Sequence, residues 1–184
     1  MPKVVLVTGM QAAGKSTIAP LLAGRLGPPA ATLDGDVFYH GVVAGGADMT
    51  PDPSPEAVRQ LQLRYDASAL IAQHYADAGF DFVCSDNIFE DDVERWFARL
   101  HGVDPYLVML TPSVESVVER ELGRGGGNAY RDWQGSAGGL IDAVRAFQTY
   151  VDNTPRRGLW LDTTSLTPEE SVEAILADLP KARW

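Results

Sequence analysis

Apolar positions along the chain alternate between short dense runs and stretches of helical spacing. Lys3–Thr8, "KVVLVT", is a β-branched run closed by Gly9, the pattern of a strand buried on both faces. From Gly14 to about Leu26 the residues Ile18, Leu21, Leu22 and Leu26 recur at helical spacing and predict one buried face, ended by "GPP". Ala30–Asp34 reads as a second short strand ending in acids, and the Gly, Pro and Asp of residues 41–55 read as a loop. Ser54 followed by Pro55 is a helix start, and that helix runs to about Ala78, stopped by Gly79. Phe80–Ser85 and Tyr106–Leu110 are the third and fourth strands, with a helix over Glu90–Leu100 between them. A helix over Ser113–Leu122 leads into "GRGGGNAYRDW". A helix near Gly139–Val151, a strand at Gly158–Asp162 and a last helix from about Pro168, capped by Thr167, complete the series.

Strands that alternate with helices predict a three-layer α/β fold, a parallel sheet with helices on both faces. Neither an internal repeat nor a long linker interrupts the 184 residues, so a single domain is expected.

Composition narrows the function classes. A hydrophobic share of 45% argues against disorder. With 15 basic against 25 acidic residues the formal charge is -10, which repels a polyanion and lowers the expectation of a nucleic-acid partner. The single Cys84 cannot form an intrachain disulfide and reads as a buried strand-end residue. No apolar run approaches the roughly 20 residues of a membrane span. The chain opens directly on its first strand without a charged leader, so a cytoplasmic location is expected. His40, His74 and His101 lack metal-ligand spacing.

The chemistry is concentrated in "GMQAAGKS". Gly9-x4-Gly14-Lys15-Ser16 fits the P-loop pattern, with a strand before it and a helix after it. In such a loop successive backbone N–H groups, here from Gly9, Met10, Gln11, Ala12, Ala13, Gly14, Lys15, Ser16 and Thr17, turn toward phosphate oxygens beside a helix N-terminus. Lys15 is placed to bridge the β- and γ-phosphates and the Ser16 hydroxyl to coordinate Mg²⁺.

"LVTGMQAAGKST", then "LDGDVFYHG" and "AGFDFVCSDN", resemble the small P-loop kinases, and within them the chloramphenicol phosphotransferase-like group. Adenylylsulfate kinase, gluconate kinase, the zeta toxins and polynucleotide 5'-kinases are more distant relatives. The resemblance spans nearly the whole chain as a series of elements, and the P-loop is its most specific part. It implies a five-stranded parallel sheet in the order 2-3-1-4-5, ATP with Mg²⁺, and transfer of the γ-phosphate to a bound hydroxyl.

The family's general base maps onto Asp36 of "DGD", with Asp34 as a water-mediated Mg²⁺ contact or a prop for Asp36. Asp86, ending the third strand where Walker-B-type acids sit, is a metal or substrate contact. The family's lid maps onto residues 123–136. Arg120 and Arg124 match its phosphoryl clamp and Arg131 is a further candidate on the nucleotide, while Thr163 and Thr164 border the adenine.

The acceptor pocket is expected between the loop after Asp36, the long second helix and Asn87, with Phe38, Tyr39, His40, Arg59, Arg64, Tyr65 and Phe89 as candidates. Aromatics there suit a ring-bearing small molecule, whereas Arg64 suits an anion. The leading expectation is phosphorylation of a small-molecule hydroxyl. A kinase of nucleic-acid ends or nucleotide sugars is the alternative, and a non-enzymatic switch, which needs neither Asp36 nor lid arginines, stands behind both.

Overall fold

The computed structural model describes residues 1–123, Tyr130, Trp133 and 138–184. Five strands form one parallel sheet: β1 (Lys3–Gly9), β2 (Ala30–Asp34), β3 (Asp81–Ser85), β4 (Asp104–Leu110) and β5 (Leu159–Leu161). Their order is β2-β3-β1-β4-β5. The helices are α1 (Lys15–Leu26), α2 (Asp36–His40), α3 (Pro55–Asp77), α4 (Asp91–Phe97), α5 (Val114–Gly123), α6 (Leu140–Asn153) and α7 (Pro168–Ala177), followed by a 3-10 turn at Leu179–Ala182.

The central strand β1 is buried from Val4 to Gly9, as its unbroken β-branched run requires. Val5 and Val7 point to one core, closed by Ile18, Leu22 and Ile175 of α1 and α7. Val4 and Leu6 point to the other, closed by Ala69, Ala72, Val93 and Trp96 of α3 and α4. Cys84 is buried in this second core, and burial raises its thiol pKa. No helix among the described residues is long and apolar enough to cross a membrane.

Four local expectations change. Leu21 is exposed, because the small residues Ala19 and Ala23 rotate the buried stripe of α1 away from it. The segment after Asp36 is not all loop: Asp36–His40 is a short helix, too brief to show periodicity. Helix α4 stops at Phe97 rather than Leu100. Strand β4 begins at Asp104, ahead of Tyr106, and so includes Pro105. The Pro105 carbonyl accepts the Trp184 N–H at 3.0 Å, so its missing donor faces the chain terminus and not β1.

Register explains where the chemistry collects. Val7 of β1 and Asp34 of β2 both pair with Ser85 of β3. The carboxyl ends of three adjacent strands therefore finish level, at the point where the chain order reverses across the sheet. Gly9, which ends β1, has φ of +145°, and a Cβ there would lie 2.6 Å from the Leu110 carbonyl oxygen of β4. Only glycine lets the two strands come this close.

Candidate active site

The P-loop wraps the N-terminus of α1. Ala12 and Gly14 carry positive φ, +61° and +100°, which turns the backbone back toward the helix start. The Ala13 N–H bonds the Met10 carbonyl at 3.1 Å, and the Thr17 N–H bonds Gly14 at 3.1 Å. Lys15 Nζ donates to the carbonyls of Gly9 and Met10, both at 2.9 Å, so its ammonium lies folded over the loop. Met10 and Ala12 are buried with Tyr130 and Trp133, and the Tyr130 hydroxyl donates to the Gln11 carbonyl at 2.9 Å.

Facing the loop across one cleft are the acids of the neighbouring strand ends. Gln11, Ala12, Gly14, Lys15 and Ser16 line one side, and Asp34, Asp36, Asp86 and Asn87 the other. Asp34 Oδ1 accepts the backbone N–H of Asp36 at 3.1 Å, which fixes the start of α2 and leaves the Asp36 carboxylate exposed. Asp86 Oδ1 accepts the Asn87 N–H at 2.7 Å. Burial lifts the Asp86 carboxyl to about 6, opposed by the Asn87 N–H; the Asp36 charge raises it further, while Lys15 and Arg64 pull it down.

Three supports escaped the sequence reading. Gly35 is buried beside Asp86, and a Cβ on it would stand 2.0 Å from Asp86 Oδ2. The one available signal was a glycine held between two acids. Thr8 Oγ1 donates to the Ile88 carbonyl at 2.8 Å and accepts its N–H at 3.1 Å, which anchors the chain just past Asn87. Tyr65, a candidate for the acceptor pocket, is buried, and its hydroxyl donates to the Asn87 carbonyl.

The other candidates are spread around this cleft. Tyr39 follows Asp36 on α2, its hydroxyl bonded to Asp48, and Arg64 of α3 lies over its ring at 5.0 Å from the centroid. Phe38 is half-buried on the same short helix. Phe89 is buried in the aromatic cluster around Phe147, and Arg59 is exposed and paired with Glu56 at 2.7 Å. Arg120 donates to the carbonyls of Ala13 at 3.3 Å and Thr163 at 2.7 Å, bridging the P-loop to the turn after β5. In that turn the Thr164 hydroxyl donates to Asp162 at 2.5 Å and accepts the Ser113 N–H at 2.8 Å. Thr163 Oγ1 is buried with no hydrogen-bond partner. Arg124, Arg131 and most of the expected lid lie outside the described residues.

The donor set suits a hard, hydrated cation. Among the described residues no group of three or more His, Cys, Asp or Glu could enclose a metal ion by itself. The Ser16 hydroxyl and the carboxylates of Asp34 and Asp86, which line the same cleft, offer oxygen donors only, a set that would fit Mg²⁺ keeping waters in its shell.

A family model described as chloramphenicol phosphotransferase-like protein matches residues 2–180. No curated protein matches the sequence. Among solved structures, a sugar kinase from Janibacter sp. HTCC2649 aligns with a TM-score of 0.70 at 16% identity, covering 99% of this chain and 96% of its own. The APS kinase of Mycobacterium tuberculosis, in complex with AMPPNP and APS, aligns with a TM-score of 0.67 at 19% identity over 97% and 98%. A gluconokinase from Sinorhizobium meliloti 1021 gives 0.63 at 18% identity over 97% and 92%. At these identities the likeness is one of fold, and the fold is that of P-loop kinases.

Proposed function

The chain belongs to the chloramphenicol phosphotransferase-like protein family, and from that premise we propose that it transfers the γ-phosphate of ATP to a hydroxyl of a small molecule. The observation that carries this reading is the exposed Asp36 carboxylate, whose backbone is pinned by Asp34, in the same cleft as the P-loop lysine and serine.

Asp36 accepts a hydrogen bond from the acceptor hydroxyl and aims its oxygen at the γ-phosphorus. As the new P–O bond forms and the bond to the β,γ-bridging oxygen breaks, Asp36 takes the hydroxyl proton, leaving ADP and the phosphorylated acceptor. The transition state is loose and the proton leaves late, so an ordinary carboxylate serves, and positioning is its main contribution. Lys15 exchanges its two carbonyl partners for β- and γ-phosphate oxygens and offsets the charge gathered there. Mg²⁺, held by Ser16 with Asp34 and Asp86 through water, would supply further charge neutralisation of the phosphates. Arg120, on α5 and bonded to the Ala13 and Thr163 carbonyls, and Arg124 take the family's clamp role, with Arg131 as a further candidate on the nucleotide.

The test pairs a substitution with a product measurement. Asp36→Asn removes the proton acceptor and none of the phosphate grip, so transfer falls by about 10²-fold or more while ADP affinity stays within a few-fold. Mass spectrometry of hydroxyl compounds incubated with ATP and Mg²⁺ reads the product as a phosphate-sized gain. Brisk ATP hydrolysis with no compound gaining mass, or an equal loss of nucleotide affinity in the variant, removes this reading. Salt dependence of acceptor binding separates a nucleic-acid end, whose binding weakens steeply with salt, from a small molecule.

A further inference from the structure

Arg64 stands apart from the other arginines of the described chain. Among the exposed ones Arg25 pairs with Glu173, Arg59 with Glu56, Arg95 with Asp92, Arg99 with Asp66, Arg145 with Asp142 and Arg183 with Asp104, while Arg156 and Arg157 lie over the Trp160 and Trp184 rings; none of them buries an unpaired guanidinium nitrogen. Arg64 is half-buried on α3, forms no ion pair with any described carboxylate, and its buried Nε has no hydrogen-bond partner. Its guanidinium carbon lies 5.0 Å from the centroid of the Tyr39 ring, a contact that takes up none of its N–H donors. An ordinary surface arginine does not bury an unpaired Nε–H, because a donor taken out of water without a partner is costly.

Two further observations place this group at the cleft. The Arg64 charge acts on Asp86, which lines the cleft with Asp36. The next residue along α3, Tyr65, bonds the carbonyl of Asn87, whose side-chain Oδ1 is also buried without a hydrogen-bond partner. A cation with a buried, unpaired Nε–H and a buried, unpaired amide oxygen are thus carried by residues at the same corner, and the protein satisfies neither.

We infer that the acceptor is a hydroxy acid, an alcohol whose carboxylate docks on the Nε edge of Arg64 while one of its hydroxyls donates to Asn87 Oδ1 and another faces Asp36. This rests on the phosphotransferase reading for its role in transfer, not for its binding. The Nε–H and one terminal N–H of a guanidinium form a fork whose spacing matches the two oxygens of a carboxylate, and the Tyr39 ring packs against this guanidinium. A neutral ring stacked nearby would leave the Nε–H unpaired. A phosphate monoester would satisfy it, but with about twice the negative charge, beside three aspartates and the nucleotide phosphates. A monoanion gives the same hydrogen bonds at about half that repulsion.

Binding and transfer are measured separately. The full chain carrying Asp36→Asn, saturated with Mg²⁺ and ADP, is titrated calorimetrically with glycerate, threonate and gluconate, each beside its uncharged primary amide and its phosphate-ester analogue. At least one acid is expected to bind on the order of 10–100-fold more tightly than its amide. Adding Arg64→Met abolishes that preference while the melting temperature and ADP affinity stay unchanged. Arg64→Lys, which keeps the charge and loses the fork, restores only part of it. The inference is overturned if no acid outbinds its amide, if the preference survives Arg64→Met, or if the phosphate esters bind best. With Asp36 intact, neutral alcohols gaining phosphate while acids do not also overturns it and leaves the transferase reading standing. Acids that bind through Arg64 without ever gaining phosphate leave the site assigned and remove the transferase reading instead.

Discussion

Replacing Asp86 with asparagine should make the protein more stable near neutral pH. The carboxyl is displaced from 3.8 to about 6, chiefly because burial strips water from its charged form. Because its folded pKa lies above the unfolded one, the folded state binds this proton more tightly. The ionised carboxyl therefore costs stability above about pH 6, and the cost is relieved as pH falls toward 3.8. At about 1.4 kcal/mol for each pH unit of displacement, the full cost is about 3 kcal/mol. Part of Asp86 remains open to the cleft, and water there trims the figure toward ~2 kcal/mol.

Asparagine keeps a side-chain oxygen for the Asn87 N–H and carries no charge, so Asp86→Asn should gain about that amount at pH 7.5, about half of it at pH 5, and little below pH 4. Urea unfolding in EDTA without nucleotide, repeated across this range, measures the difference free of any metal contribution. A gain that does not depend on pH, or a loss of stability at pH 7.5, refutes the assignment of Asp86 as a desolvated, ionised group. Phosphotransfer by the variant should fall even as its stability rises, the trade expected where a site holds a charge the fold alone would not keep.

Two further substitutions test the supports of the cleft. Gly35 has ordinary helical dihedrals, so Gly35→Ala acts through space alone: its Cβ would meet Asp86 Oδ2 at 2.0 Å and must push that carboxylate aside by more than an ångström. Turnover should drop by about 10²-fold with a stability loss of only about 1–3 kcal/mol, read by kinetics alongside urea unfolding. Thr8→Val keeps the shape of the side chain but leaves the buried Ile88 N–H and carbonyl without their hydroxyl partner, which should lower stability by about 2–4 kcal/mol in the same unfolding assay.

The sheet and its crossovers were legible because β-branched runs and 3.6-residue spacing are repeated over many positions and survive local exceptions. Leu21 was such an exception: alanines contribute to a buried stripe without standing out as apolar landmarks. Helix α2 was illegible for a different reason, since five residues hold barely more than one turn. The P-loop could be read letter by letter because its pattern fixes Gly9, Gly14, Lys15 and Ser16 at set spacing between a strand and a helix. The acids could be nominated from the ends of strands, but the bond from the Asp36 N–H to Asp34, and the space Gly35 leaves for Asp86, depend on β2 and β3 finishing level. Arg64 illustrates the limit best. Sequence names both Arg59 and Arg64 for the acceptor pocket and reads Arg64 as suited to an anion, but only the fold shows Arg59 paired with Glu56 and Arg64 with a buried, unpaired Nε.

Gly9 alters what a match to the P-loop pattern means. Its backbone dihedral and its contact with the Leu110 carbonyl tie it to the neighbouring strand, whereas Ala12, Gly14, Lys15 and Ser16 line the cleft. The first letter of the pattern is thus a gauge of strand spacing, and the remaining letters are a gauge of phosphate. Even in a sheet whose fourth strand stood an ångström further off, the φ of +145° would strain an alanine at this position, so strand spacing and backbone conformation both hold it to glycine. In this chain the two readings are fused, so the segment that marks a nucleotide site also certifies that the sheet beneath it has closed.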